Sequence, residues 1–189
     1  MFREARARCR TGSAEAGFVI VLLHACANGQ GMNILVLCTG NSARSILLEA
    51  ILNRAGQDRG ITAFSAGSRP AGRVHPQSRA LLAAKGYPTA GMRSKSWDEF
   101  AAPGAPIMDM VITVCGTAAG ETCPIWPGTP LRAHWGVEDP AGAPEADQPA
   151  AFAAAYDKLF ARAGALLALP VERMDRGAMS AELARIGTI

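Results

Sequence analysis

Residues 33–50, NILVLCTGNSARSILLEA, change their periodicity within a few positions. The run NILVLC (33–38) is apolar at nearly every position, which suits a strand buried on both faces. From Ser42 to Arg54 the apolar residues at 46, 47, 50 and 51 follow helical spacing, and Gly56 suits a helix stop. A doubly buried strand that feeds straight into a helix belongs in a parallel sheet, where crossover helices cover the strands.

The rest of the chain repeats this alternation. ITAFSAG (61–67), DMVITVC (109–115) and PLRAHWG (130–136) read as further strands. HPQSRALLAAKG (75–86) reads as a helix with Pro76 near its start and Gly86 at its end. SWDEFAA (96–102) opens on a serine cap and reads as a short helix. Residues 150–169 form an alanine-rich amphipathic helix with Asp147 as its expected cap, and 178–187 a weaker terminal one. In such α/β folds chemistry collects beyond the carboxyl ends of the strands. Cys38, Cys115 and Asp139 all fall at such ends.

Charge and cysteine usage narrow the function class. The formal net charge is +3, and residues 1–31 hold four arginines against two glutamates, so the body of the chain is nearly neutral. General nucleic-acid binding needs a dense basic face and is not expected. Five cysteines are an odd number, which argues for free or redox-active thiols in a cytoplasmic protein rather than a closed disulfide framework. Residues 1–31 have the look of a weak secretory signal, with an apolar stretch at 17–23 and ACA at 25–27. That stretch is short and is followed by His24, so the segment reads better as an extension upstream of Met32, and no membrane span is expected. The expected organisation is this extension, a domain over 32–170, and a tail over 171–189 with a short helix.

CTGNSARS, at the turn between first strand and first helix, carries the chemistry. Backbone N–H groups of a tight strand-to-helix turn point inward and form a nest for a tetrahedral anion, reinforced by the positive end of the helix. Thr39, Gly40, Asn41, Ser42, Ala43, Arg44 and Ser45 are the expected oxyanion-binding residues. Gly40 is expected to take a backbone conformation closed to most residues, and Asn41 tolerates left-handed geometry. Arg44 offers a planar fork to two anion oxygens. Cys38 sits in the same ring, where helix and arginine are expected to lower its pKa, and Ser45 can donate to its sulfur. A lone cysteine after a strand is more often a small buried hydrophobe. The cysteine-to-arginine spacing in a strand–loop–helix setting reverses that preference.

The loop resembles that of the low-molecular-weight tyrosine phosphatase superfamily. The resemblance implies a flavodoxin-like α/β domain whose four-stranded parallel sheet is ordered 2-1-3-4. It also implies that the Asp139-Pro140 pair in HWGVEDP supplies the general acid, where the pair alone would read as a turn initiator. In that order strands one and three are neighbours about 4.8 Å apart, so Cys38 and Cys115 face one crevice.

CTGNSARS, SKSWDEF, CPIWPG and HWGVEDP together are similar to the thioredoxin-coupled arsenate reductases of that superfamily, over about residues 32–168. This resemblance implies attack of Cys38 on arsenate, then of Cys115 on Cys38, then of Cys123 on Cys115, with thioredoxin, or glutaredoxin with glutathione, as final donor. Were 116–122 helical, Cys115 and Cys123 would lie about 12 Å apart. The segment is therefore expected to unwind on oxidation, with reduced hydrogen-exchange protection in the oxidised form. The chain departs from some relatives in carrying Ala43 where they have another cysteine, and in a slightly longer Cys115–Cys123 gap. The resemblance further implies a potassium site at Asn41, Glu49, Ser65 and Asp98, with no tightly bound organic cofactor and a monomer as the working unit. His75 and His134 have no metal spacing and are expected to pack; Arg69, Arg73 and Arg93 are expected mainly to solvate. The alternative functions are phosphomonoester hydrolysis through a Cys38 phosphoenzyme and, less supported, oxyanion sensing without chemistry.

Overall fold

The computed structural model describes residues 31–116 and 126–189. The expectations for residues 1–30, for Cys123 and for the unwinding of 116–123 therefore lie outside the described residues.

Four strands, β1 (Met32–Cys38), β2 (Ile61–Gly67), β3 (Met110–Thr113) and β4 (Leu131–His134), form one parallel sheet in the order β2-β1-β3-β4. All three pairings are parallel, with Cys38 level with Gly67 and Leu37 level with Thr113. The order 2-1-3-4 is the one expected. The helices are α1 (Arg44–Ala55), α2 (Pro76–Ala84), α3 (Gln148–Leu167) and α4 (Arg176–Ile186).

The period of two along β1 explains why this strand lies at the centre. Ile34, Val36 and Cys38 turn to one face, while Leu35 and Leu37 turn to the other. Ile34, Leu35, Val36 and Leu37 are all fully buried, and each such side chain contributes about 1.5–3 kcal/mol of transfer free energy. The first face packs against α1, α2, α3 and α4 through Leu47, Ile51, Leu82, Leu159 and Leu183. Among the described residues, the second face buries Leu35, Leu37 and Val111 with Phe100, Met108 and Trp126.

Helix starts follow local chemistry. His75 caps α2 by accepting from the Gln77 N–H, with Pro76 in the first turn, and Asp175 caps α4 through the Ala178 N–H. Asp147 stands at the cap position of α3, but its side chain accepts no capping bond, unlike the expectation, because its own backbone is already helical. Ser96 caps a 3-10 turn over Trp97–Phe100. The C-terminal segment folds back on the domain, and Met179, Leu183 and Ile186 of α4 join the main core. Among the described residues no helix is long and apolar enough to cross a membrane.

Candidate functional site

The site lies where β1, β3 and β4 end and α1 begins. Three loop carbonyls are held from outside: Thr39 O accepts from Arg69 N, Gly40 O from Ala71 N and the Ser94 hydroxyl, and Ser42 O from His75 N and the Ser78 hydroxyl. Carbonyls anchored outward turn the N–H groups inward, and Asn41 N donates to Cys38 Sγ at 3.1 Å. α1 has Ala43 at its cap position and no capping side chain, so its first N–H groups are left to the loop interior.

The left-handed residue is Asn41, at φ 42°, and not Gly40, whose φ is not positive. The asparagine takes this conformation because its side chain is bonded all round. Its Nδ2 donates to Ser45 Oγ at 3.0 Å and to Ser65 Oγ at 2.8 Å, and its Oδ1 accepts from Lys95 N at 2.7 Å. Proton counting then sets the direction of the network. Both Asn41 amide protons are used and the Ser65 hydroxyl donates to Glu49 Oε2. Ser45 Oγ accepts from Asn41 and lies 2.9 Å from Cys38 Sγ, and its hydroxyl is placed to donate to the sulfur once that is a thiolate.

Gly67 makes the close approach of this loop possible. A Cβ there would collide with Thr39 O and crowd Asn41 N. The sequence offers only a glycine at a strand end as a hint of this role.

Beyond β4, Val137 N donates to Val114 O at 3.1 Å, which holds the next loop beside the end of β3. Asp139 begins a 3-10 turn over Pro140–Gly142 and accepts from Ala141 N. The Arg44 fork faces this loop: Nη1 donates to Val137 O at 3.0 Å and Nη2 pairs with Asp139 Oδ2 at 3.2 Å. Among the described residues its buried Nε has no hydrogen-bond partner. The Asp139 side chain is 52% exposed, so the pair holds by only about 0.2–1 kcal/mol and can open at little cost.

A model of the family described as low molecular weight phosphotyrosine protein phosphatase matches residues 33–178. The chain belongs to this family. Among curated relatives, an arsenate reductase of Halalkalibacterium halodurans is 35% identical over 61% of this chain and 78% of its own length. An arsenate reductase of Bacillus subtilis is 34% identical over 58% of this chain and 75% of its own. The crystal structure of an arsenate reductase from Archaeoglobus fulgidus shares the fold at a TM-score of 0.53 and 28% identity, covering 69% of this chain and 98% of that one.

On this family scaffold the chain carries a second thiol. Cys38 and Cys115 are both buried. Cys115 Sγ lies 3.6 Å from Thr39 Oγ1, in the residue that follows Cys38. The side chain at 115 therefore faces the loop, as the strand order requires.

Burial corrects one expectation. It pushes the Cys38 thiol above its ordinary pKa, and this outweighs the lowering by the Ser45 hydroxyl and by the Asn41 and Ser45 N–H groups; Cys115 nearby also raises it. The arginine expected to stabilise a thiolate is engaged with Asp139 instead.

The potassium expectation was tested on its donor set. Glu49 Oε1 is paired with Lys95 Nζ at 3.2 Å, and Asn41 Oδ1 is taken by Lys95 N. The Asn41 amide nitrogen, a donor, faces Ser65. Asp98 is exposed and accepts from the Ser96 hydroxyl at 2.9 Å. Asn41, Ser65 and Glu49 do come together in one hydrogen-bonded chain, with the Lys95 ammonium on Glu49, while Asp98 is engaged with Ser96. These residues do not fit a potassium ion in this arrangement. Among the described residues no cluster of three or more His, Cys, Asp or Glu side chains is placed to hold a metal.

The discounted residues have local roles. His75 stacks on Phe152, His134 meets Thr113 Oγ1 at 2.8 Å, and Arg93 forms a bidentate pair with Glu99 on the surface. Lys95 and Gly67 had escaped the sequence reading. Lys95 was visible only as the unexplained cation in SKSWDEF.

Proposed function

We propose that this protein is an arsenate reductase of the family, working through Cys38, Cys115 and Cys123. The observation that carries the reading is the second thiol: Cys115 turns toward the loop that holds Cys38. A phosphoester hydrolase needs one thiol, whereas reduction of an oxyanion needs two electrons from a pair of them. The relatives named as arsenate reductases support the same choice.

The oxyanion sits on the inward N–H groups of residues 39–45 and takes donors from Arg44, whose unpartnered Nε is the donor in reserve. A neutral Cys38 does not repel an incoming dianion and can pass its proton to an anion oxygen as the sulfur attacks. One As–O bond breaks as the S–As bond forms, and Asp139 protonates the departing oxygen. Cys115 as thiolate then attacks the Cys38 sulfur. The S–As electron pair stays on arsenic, taking it from As(V) to As(III), and a Cys38–Cys115 disulfide remains. Cys123 attacks the Cys115 sulfur, freeing Cys38, and an external dithiol reduces the Cys115–Cys123 bond. Thioredoxin is the donor of choice, with glutaredoxin and glutathione as the alternative. Free thiols of this kind persist in the reducing cytoplasm. In this reading the Lys95 ammonium on Glu49 supplies the positive charge that the resemblance assigns to a potassium ion.

Arsenate-dependent NADPH oxidation, with thioredoxin and glutaredoxin systems supplied separately, tests the reading. Wild type is expected to turn over, and Cys115→Ala to stop after one adduct. Steady turnover of an aryl phosphate by Cys115→Ala, with no arsenate-dependent oxidation by wild type, would make the chain a phosphomonoester hydrolase instead.

A further inference from the structure

Arg162, in the middle of α3, is 2% exposed and is fully engaged with backbone oxygens. Nη1 donates to Gly136 O at 3.2 Å, Nη2 to Gly187 O at 2.9 Å and Nε to Ile189 O at 3.1 Å. No side-chain carboxylate pairs with it among the described residues, and burial lowers its pKa. A guanidinium in a hydrocarbon core costs desolvation that a leucine would not incur. Its fork geometry shows what is gained, since it ties two backbone segments, at Gly136 and at Gly187–Ile189, to one helix.

Gly136 is the important one. It lies between Trp135, whose Nε1 donates to Leu183 O of α4 at 3.0 Å, and Val137, whose carbonyl receives Arg44 and whose N–H is fixed to Val114. Asp139 follows two residues later. On the far side of the acid turn, Gln148 Nε2 at the start of α3 donates to Ala141 O and Ala143 O. One helix thus brackets the acid loop at both ends, through Gln148 and Arg162.

We propose that Arg162 is a positioning residue for the general-acid loop, acting through Gly136 and Val137 to hold Asp139 in register with Cys38. This rests on the assignment of Asp139 as the acid. Among the described residues no hydrogen bond links Arg162 to Cys38, Asn41 or Ser45, so its effect belongs to the protonation step and not to the nucleophile.

A double-mutant cycle separates that role from general structural support. Arsenate reduction is measured for wild type, Arg162→Lys, Asp139→Asn and the double variant, with thiol carrier saturating. Lysine keeps the charge but cannot reach three oxygens in fork geometry. Arg162→Lys is expected to lower kcat by about 10-fold, as small misplacements of catalytic groups do, with KM for arsenate and the rate of Cys38 alkylation unchanged. In the Asp139→Asn background the same change should cost less than about 2-fold. Equal losses in both backgrounds, or no loss in wild type, would overturn the proposal while leaving Asp139 as the acid. An Asp139→Asn enzyme of normal kcat would overturn the acid assignment and this proposal with it. If circular dichroism shows Arg162→Lys to be unfolded, Arg162→Gln, which keeps two donors without a buried charge, enters the same cycle under the same criteria.

Discussion

The nucleophile loop and the acid loop sit side by side and are built on opposite plans. In the first, Cys38, Asn41 and Ser45 are almost wholly buried, and Asn41 is bonded on every side-chain atom that can bond. In the second, Asp139 is about half exposed and keeps one backbone bond and one opening ion pair. A nucleophile attacks along a fixed line, so rigidity serves it, even though burial then raises the thiol pKa. A general acid exchanges its proton with solvent at each turnover, so exposure serves it. Arg44 joins the two plans and is the moving part between them.

The largest effect expected from breaking this contrast is at the sulfur. Cys38→Ser should lower arsenate reduction by at least about 10^4-fold, because a buried hydroxyl at a rigid site is no substitute for a thiol. Asp139→Asn should lower kcat by about 10^2-fold to 10^3-fold, which steady-state kinetics will show. It should leave alkylation of Cys38 by iodoacetamide unchanged. If that rate fell too, the loops would not be the separate units described here.

A smaller effect tests the pKa balance. Thiolate is the alkylated form, so a raised pKa moves the rising limb of the rate–pH curve to higher pH than for a free cysteine. Ser45 works against that rise, and Ser45→Ala should shift the limb further upward, with about 10-fold slower alkylation at neutral pH. A shift to lower pH would mean that Ser45 accepts from the thiol rather than donating to it. Stability can be probed at the same loop. Gly67→Ala forces backbone against Thr39 and Asn41, at about 1–3 kcal/mol. Calorimetry should show a Tm lower by about 2–12 °C.

The strands and the loop were legible in the sequence because their signals are local. A buried run, a helical repeat and a breaker between them left little freedom, and ITAFSAG was read with the bounds β2 has. What escaped depends on residues far apart in the chain. Propensity points to both Gly40 and Asn41 for the unusual backbone, and the choice of Asn41 follows from Ser65 and Lys95, which satisfy its side chain from other segments. The Cys38 pKa was read from the helix and arginine nearby, and burial by the assembled core set the opposite direction. Asp147 looked like a cap by residue type, but Asp147 N already donates to Pro144 O in a turn that starts the helix. Arg162 carried no signal, since an arginine in an amphipathic helix normally faces water.

The smallest effect concerns the cation beside the loop, and it sharpens the contrast from the buried side. Lys95 Nζ is paired with Glu49, which accepts from Ser65, and that chain runs through Asn41 to Ser45 and Cys38. The Lys95 ammonium at this end holds Glu49 in place as the acceptor of the Ser65 hydroxyl. If the ammonium supplies the positive charge there, activity in potassium chloride and in choline chloride at equal ionic strength should agree within about 1.5-fold. Lys95→Met removes the charge and frees Glu49 Oε1, beside Ser65, for a hard cation, which binds through such oxygen ligands. The variant should be slower by a few-fold in choline chloride and regain part of that loss in potassium chloride. Potassium dependence in the wild type would show that the ion displaces Lys95 during turnover, so that the loop around Cys38 is less rigid than its neighbour's contrast with it implies.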